Sequence, residues 1–368
     1  MNHYCKSLVI GCLTGVISYV ALAEDLDDLK LAPKVPLALA SGELKQLESE
    51  PGYNPPKPIR RIPPVYPEKR LKKSQEGMVE VEFMVDENGK VFAPIVTQST
   101  HSGFEGSALE AILKYQYKPA HIDGELFKAA TNIRITFLLD GSEDAVGQKF
   151  KSVYKRADKE LNSANPDQQK LKREFARLDD AKYLNNYGLA YLSMLEYRYA
   201  IKFLSKQAQL KSLRKLLLFE NRVGESRQFL DPATIKSIRM NVLQLLIELG
   251  YYGEARSNFY WLNKEIPDAA KPFENAISQV RDILNSGEAI ARSVELSGRG
   301  NEFLDLAKRS FEIDVIEGSI EKLNFYCTRN FGTMVFKPNS NYQVPKAWGR
   351  CDLLIVGEPN TKAKLYQL

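Results

Sequence analysis

Cysteine and histidine are the residue types best suited to metal binding or nucleophilic chemistry, and this chain has few of them. It contains three histidines and four cysteines. His101 and His121 lie more than 200 residues before Cys327 and Cys351, unlike the short intervals between the ligands of a zinc motif. No cysteine nucleophile or serine elbow lies near either histidine. We therefore predict no catalytic residue, no metal, no cofactor and no enzymatic activity.

Cys327 and Cys351 are expected to pair with each other. The other two cysteines, Cys5 and Cys12, lie in an apolar segment at the N-terminus, so the rest of the chain holds an even pair. In an exported protein an even pair predicts a disulfide. The bond would enclose 23 residues, and a loop of that size contributes ~3 kcal/mol by restricting the unfolded chain.

Composition and charge predict a folded protein of two or three domains without a nucleic-acid partner. A chain of 368 residues is too long for one hydrophobic core. Its composition, 44% hydrophobic and 26% charged, is too balanced for a disordered protein. The formal net charge is +5. The main basic run, residues 57–73, is interrupted by prolines and by Glu68, whereas a nucleic-acid surface concentrates its positive charge.

Residues 7–23 form an uncharged apolar stretch that predicts a signal peptide. Lys6 precedes the stretch and residues 21–23 make a small-x-small cleavage site, which leaves Glu24 as the mature terminus. Its 17 residues are fewer than the ~20 of a membrane-spanning helix. The expected location is the periplasm. One alternative retains the segment as a single-pass inner-membrane anchor, and another attaches lipid to Cys12.

A proline-rich spacer is predicted for residues 24–62. Seven prolines fall between positions 51 and 67, and proline favours the stiff, extended polyproline II conformation. The spacer therefore separates the N-terminal segment from the first folded domain.

Residues 63–140 begin with the pattern of a β-hairpin. Apolar and polar side chains alternate over residues 79–85, as in a strand with one buried face. Asn88-Gly89 follows, and this pair favours a two-residue turn because both residues tolerate positive φ. The turn lacks the glutamate that closes a calcium loop. Pro94 in the returning strand predicts an edge position or a bulge.

The same block continues with a helix and a last strand. Apolar side chains recur at helical spacing over residues 104–115. Asp123-Gly124 then predicts a second turn, and alternation returns over residues 133–139. The order of hairpin, helix and strand predicts a small α+β domain.

Residues 143–309 predict an all-α region. The spacing of Gly188 and Ala200 resembles a tetratricopeptide repeat, with the glycine in its first helix and the alanine in its second. A second partial copy runs from Gly250 to Pro267. The copies do not keep the 34-residue period of that repeat, so a plain helical bundle is the alternative. Such repeats would offer a second surface for protein partners.

A small β region is predicted for residues 313–368. Strands are expected at residues 322–326, 333–336 and 352–357. The disulfide would join two of these strands, and a sheet this small gains from such a covalent link.

The block at 63–140 resembles the C-terminal domain of the TonB family. The motifs that carry the resemblance are, in chain order, Pro64-Val65-Tyr66-Pro67, Glu76-Gly77-Met78-Val79-Glu80-Val81, Asp86-Glu87-Asn88-Gly89-Lys90-Val91, Phe104-x3-Ala108-Leu109-x-Ala111, Tyr115-x-Tyr117-x-Pro119-Ala120, Asp123-Gly124 and Ile133-x-Ile135-x-Phe137. Each motif is weak alone, but their order and spacing together are specific.

The resemblance implies a domain that binds a short peptide of an outer-membrane TonB-dependent receptor by adding it as a strand to a sheet edge. The implied peptide-binding residues are Pro64, Tyr66 and Pro67 beside the peptide, and Ile133, Arg134, Ile135, Thr136, Phe137, Leu138 and Leu139 on the pairing edge. If the N-terminal segment stays uncleaved, the alternative is an energy transducer coupled to inner-membrane motor proteins. A third hypothesis is an envelope protein that uses this domain for structure or self-association.

Overall fold

The computed structural model describes residues 52–139, 146–221 and 227–368. The predicted signal peptide and most of the predicted spacer lie outside these residues. None of the helices within the described ranges is both long enough and apolar enough to cross a membrane.

The first folded unit, residues 53–139, is named here the α+β domain. Its elements are β1 (Tyr53–Asn54), β2 (Lys57–Arg60), α1 (Glu68–Lys72), β3 (Gly77–Val85), β4 (Val91–Ser99), α2 (Glu105–Ile112), β5 (Gln116–Lys118), β6 (Ala120–Ile122), β7 (Glu125–Phe127) and β8 (Ala129–Phe137). The main sheet is antiparallel with the order β4-β3-β8. One smaller sheet has the order β1-β6-β7, and another pairs β2 with β5. The predicted hairpin, helix and strand are all present.

The hairpin between β3 and β4 turns where Asn88-Gly89 predicted it. Gly89 has a φ of +79°, and its N–H donates to the carbonyl oxygen of Asp86 at 2.9 Å. The Asp86 carboxylate accepts from the backbone N–H of Asn88 and Lys90, at 2.9 and 2.8 Å. Asp86 therefore stabilises the turn. Pro94 lies in edge strand β4, beside an irregularity in the register with β3.

The expectation that residues 79–85 bury only one face is wrong. Val81 and Phe83 pack on the α2 side, as the alternation predicted. On the other face Glu82 and Met84 are also buried, because Met84 packs against residues near the C-terminus, including Tyr326. The alternation of apolar and polar residues predicted which side chains share a face of β3. It did not predict that residues of the C-terminal region cover the face that carries Glu82 and Met84.

The predicted spacer extends too far into the domain. Tyr53–Asn54 pairs with β6, and Lys57–Arg60 pairs with β5. A proline can occupy an edge strand because the missing N–H need not face a partner, and Pro58 does so opposite Tyr117. Residues 53–60 therefore belong to the α+β domain.

The middle region consists of helices, as predicted. They are α3 (Gln148–Leu161), α4 (Gln168–Asp179), α5 (Asn186–Phe203), α6 (Lys206–Leu216), α7 (Pro232–Glu248), α8 (Tyr252–Glu265), α9 (Pro267–Ala270) and α10 (Glu274–Asn285). Side chains cap several N-termini: Asp167, Asn185, Ser205 and Asp231 accept hydrogen bonds from backbone N–H groups of the turns that follow them.

The helix boundaries differ from the tetratricopeptide-like assignment. Gly188 and Ala200 were expected in two consecutive helices, but both lie in α5, an unbroken helix of 18 residues. The sequence between them contains no proline or glycine that would end a helix. Gly250 does lie at a helix junction, with a φ of +75° between α7 and α8.

The C-terminal region is a β-sandwich, residues 290–367. Its strands are β9 (Ile290–Glu295), β10 (Asn301–Asp305), β11 (Ser310–Glu317), β12 (Ile320–Cys327), β13 (Phe331–Val335), β14 (Tyr342–Gln343), β15 (Cys351–Gly357) and β16 (Lys362–Gln367). One sheet has the order β10-β15-β12-β13 and the other β14-β11-β16-β9. Helix had been predicted as far as residue 309, so β9 and β10 correct that boundary.

A single apolar core lies between the two sheets, with Phe311 and Leu365 from one sheet and Leu323 and Leu353 from the other. Cys327 and Cys351 face each other on neighbouring strands and form the predicted disulfide. The outer face of the sheet that contains β12 packs on the α+β domain: Phe92 and Phe331 meet edge to face at 5.3 Å between ring centroids.

Candidate functional site

The outer edge of β8 is the candidate binding site. β8 pairs with β3 along one side, and it is the last strand in the order β4-β3-β8. Within the described ranges no strand pairs with its other side. An unpaired edge presents a row of N–H and C=O groups to which another strand can bind.

Hydrogen bonds on β3 identify the β8 residues whose backbone faces this edge. The carbonyl oxygen and N–H of Met78 bond to the backbone and hydroxyl of Thr100, both at 2.9 Å, on the β4 side. Thr136 lies opposite Met78, and in an antiparallel ladder such a pair does not exchange hydrogen bonds. The N–H and C=O of Thr136 therefore point outward, and by alternation so do those of Asn132 and Arg134.

Side chains on β8 mostly serve the fold. Ile135 and Phe137 are buried in the core between the sheet and α2, and Ile133 packs against it. Arg134 is buried on the opposite face, where its guanidinium donates to the carbonyl oxygen of Leu218 and, at 2.7 Å, to that of Glu220. Arg134 thus links the α+β domain to the helical region.

The C-terminal end of β8 is open. Leu138 is 44% exposed, and Thr136 is half-buried. Ile133 and Leu139 are likewise half-buried, so Leu138 is the one exposed side chain among the predicted edge residues. A strand added at this edge would otherwise contact the outward N–H and C=O groups of the β8 backbone.

Glu76 fixes the position of this end, although the sequence analysis did not single it out as a site residue. One of its carboxylate oxygens accepts from the N–H of Leu139 at 3.0 Å, and the other accepts from the N–H of Asn186 at 3.0 Å. Arg227 lies 3.5 Å from the first oxygen. The side chain is 1% exposed. A single buried carboxylate therefore joins the end of β8 to the start of α5.

Tyr66, Pro64 and Pro67 are placed on the segment before α1. The Tyr66 ring meets Phe104 and Phe137 edge to face, at 5.9 and 5.7 Å between centroids, and its hydroxyl donates to the carbonyl oxygen of Gln75 at 2.6 Å. Burial raises the pKa of Tyr66, and the nearby Glu76 carboxylate adds to the effect. These contacts anchor the segment to the core. Both prolines are half-buried.

A cleft lies at the other end of β8 and is named here the edge cleft. Tyr53 and Pro56 line it from the leading segment, Thr131 and Asn132 from β8, and Thr328 and Arg350 from the β-sandwich. The cleft could not be predicted from the sequence because its walls come from three regions that are as much as about three hundred residues apart in the chain. No local pattern connects them.

His101 makes a structural hydrogen bond, and His121 lies in β6. The Nδ1 of His101 accepts from the N–H of Gly103 at 2.9 Å, just before α2, and burial lowers its pKa while Asp179 opposes that shift. Among the residues that the structure describes, no three His, Cys, Asp or Glu side chains form a group that could hold a metal ion.

Comparison with known proteins assigns a family to the first domain. Residues 62–139 match the family model described as Gram-negative bacterial TonB protein C-terminal, which confirms the resemblance predicted for residues 63–140. A similar solved structure is the solution NMR structure of the TonB CTD from Pseudomonas aeruginosa, with 25% sequence identity, coverage of 26% of this chain and 95% of that chain, and a TM-score of 0.21. No curated protein matches the chain.

Proposed function

We propose that this protein is a periplasmic TonB-family interaction protein whose outer β8 edge binds N-terminal peptides of TonB-dependent outer-membrane receptors by strand addition. The observation that carries the proposal is the outward backbone of Thr136, on a strand without a partner on that side among the described residues. Main-chain hydrogen bonds then supply affinity with little demand on peptide sequence.

The helical region and the β-sandwich act in this proposal as a rigid support for the edge. Arg134 and Glu76 tie β8 to the helices through buried hydrogen bonds, and Met84 packs on the β-sandwich. A strand held in this way is ordered before the peptide arrives, which lowers the entropic cost of binding. This arrangement favours an adaptor in which the three regions work as one unit.

The disulfide supports a periplasmic location, since such bonds persist in oxidising compartments. Peptide mapping of the protein from a Gram-negative host tests this point. A soluble product that begins at Glu24 agrees with the proposal. An uncleaved product in the inner membrane would contradict it and favour an anchored transducer.

Replacing Thr136 with proline tests strand addition directly. The proline lacks the outward N–H, and its ring occupies the path of the added strand, while the hydrogen bonds between β8 and β3 remain. Thr136→Ala is the matched control because it removes the side chain and keeps the N–H. We expect the proline variant to weaken binding about tenfold or more, from the lost hydrogen bond and the steric obstruction, and the alanine variant to bind almost normally.

Isothermal titration with synthetic N-terminal peptides of the outer-membrane receptors encoded by the same organism measures the difference. Unfolding curves for both variants verify that the domain remains folded. Equal affinity of Thr136→Pro and the unmodified protein would contradict strand addition at this edge. Concentration-dependent dimerisation with no peptide binding would favour the self-association hypothesis.

A further inference from the structure

The edge cleft lies on the path that a strand added to β8 must follow. Ala130 and Asn132 line the cleft, and both belong to the set of β8 residues whose backbone groups point outward. A strand paired with β8 would therefore run from the open end at Leu138 into the cleft. There it would lie between the leading segment and the β-sandwich.

Arg350 is the cationic side chain in the wall of this cleft. It is half-buried, and among the described residues its guanidinium makes no direct hydrogen bond or ion pair, its one electrostatic neighbour being the buried Asp305 carboxylate. Asp352 lines the same cleft and has an interaction of its own. A partly desolvated guanidinium is suited to a carboxylate, with which it can form two parallel charge-assisted hydrogen bonds.

The backbone that carries Arg350 is held firmly in place. Its carbonyl oxygen accepts from the N–H of Thr328 at 2.8 Å and from the hydroxyl of the same residue at 3.2 Å. The next residue, Cys351, is bonded to Cys327. The carbonyl oxygen of Gly349 accepts from Arg309 at 3.1 Å. A backbone fixed in this way need not become ordered when a ligand binds, which lowers the entropic cost of binding.

We propose that the β-sandwich forms the second wall of the peptide groove and that Arg350 binds a carboxylate of the added peptide. The inference rests on the proposed strand addition at β8. In this proposal, residues outside the TonB-like domain select acidic peptides over neutral ones. The carboxylate comes either from an Asp or Glu side chain or from a peptide C-terminus, which share the same chemistry.

Two sets of synthetic peptides test the proposal. The first set contains the N-terminal segments of the organism's outer-membrane receptors, each made with its acidic side chains and again with the matching amides. The second set compares free and amidated C-termini. Titration against the full chain gives the affinity of each peptide. We expect the form with the recognised carboxylate to bind about tenfold more tightly than its amide, as for a charge-assisted hydrogen bond.

Arg350→Gln should remove this tenfold preference and leave the affinity for the amide peptide unchanged. Arg350→Lys should restore part of it, because the charge returns without the planar fork. The matched control is Arg173→Gln on α4, an exposed arginine outside the cleft, which makes the same change in net charge and should keep the preference. Loss of preference in both glutamine variants would indicate long-range electrostatics and overturn the assignment.

The outcomes separate this inference from the function on which it rests. Suppose that peptides bind the unmodified protein and that Thr136→Pro weakens their binding. If the acid and amide forms of each peptide then bind with equal affinity, both to the unmodified protein and to Arg350→Gln, the Arg350 assignment is wrong and strand addition stands. If no peptide of either set binds the unmodified protein, both are wrong.

Discussion

Replacing Glu76 with glutamine should loosen the connection between the candidate binding edge on β8 and the helical region. The two carboxylate oxygens of Glu76 each accept one backbone N–H, from Leu139 at the end of β8 and from Asn186 at the start of α5. A glutamine has almost the same shape but only one acceptor oxygen. Its NH₂ group would have to face one of the two N–H donors.

The magnitude follows from the number of hydrogen bonds and the burial of the site. One hydrogen bond to a charged acceptor is lost, a loss of about 1.5–3 kcal/mol, and a buried N–H is left without an acceptor, at about 1–3 kcal/mol. These contributions overlap because they describe the same donor. We therefore expect Glu76→Gln to lower the free energy of unfolding by about 2–4 kcal/mol.

Urea unfolding at pH 7 measures the total, and hydrogen exchange with mass spectrometry locates it. Exchange should accelerate in the peptides that contain Leu139 and Asn186. Glu110→Gln, on an exposed position of α2, is the matched control and should change stability by no more than about 0.5 kcal/mol. A Glu76→Gln variant as stable as the control, with both amides still protected, would refute the role given to Glu76.

Two further predictions concern the turn and a buried acid. Gly89→Ala should lower the free energy of unfolding, measured by thermal unfolding, by about 2–4 kcal/mol, because the φ of Gly89 is +79° and a Cβ there would overlap the carbonyl oxygen of Tyr117. Gly124, at φ +89°, has open space around it, so Gly124→Ala should lower the free energy of unfolding only through backbone strain. Equal losses in the two variants would contradict the predicted overlap. Burial raises the pKa of Asp305 from 3.8 to about 6. The folded protein therefore binds the proton of this carboxyl more tightly than the unfolded chain does. The free energy of unfolding should fall by about 2–3 kcal/mol as the pH rises from about 4 to about 6. Asp305→Asn should remove that part of the pH dependence in urea titrations, and an identical slope in both proteins would contradict it.

Short-range patterns determined much of the α+β domain. Asn88-Gly89 specified a turn because positive φ is required there, and apolar alternation specified β3 and β8 because side chains along a strand point to opposite faces. The pairing of Cys327 with Cys351 followed from counting, since no other cysteines lie outside the N-terminal segment. These features depend on neighbours in sequence or on a small number of choices.

The end of the predicted helical region was placed wrongly because a charged residue occupies a buried position in the first strand that follows it. In β9 the inward-facing residues are Ile290, Arg292 and Val294, and the arginine interrupts the apolar alternation that predicts a strand. Arg292 can be buried because Asp305 lies beside it, with its carbonyl oxygen 3.0 Å from the guanidinium, and because it covers the Tyr251 ring. No local pattern in residues 290–295 contains those partners.

The tertiary structure alone decided which side chains are accessible at the candidate binding edge. Ile135, Phe137 and Tyr66 were predicted as binding residues, and the structure places their side chains in or against the core. Arg350 was in no motif, yet the packing of the β-sandwich on the α+β domain places it in the wall of the same cleft as Asn132. The sequence could determine the strand because its periodicity is local, but the cleft depends on contacts between residues that are far apart in the chain.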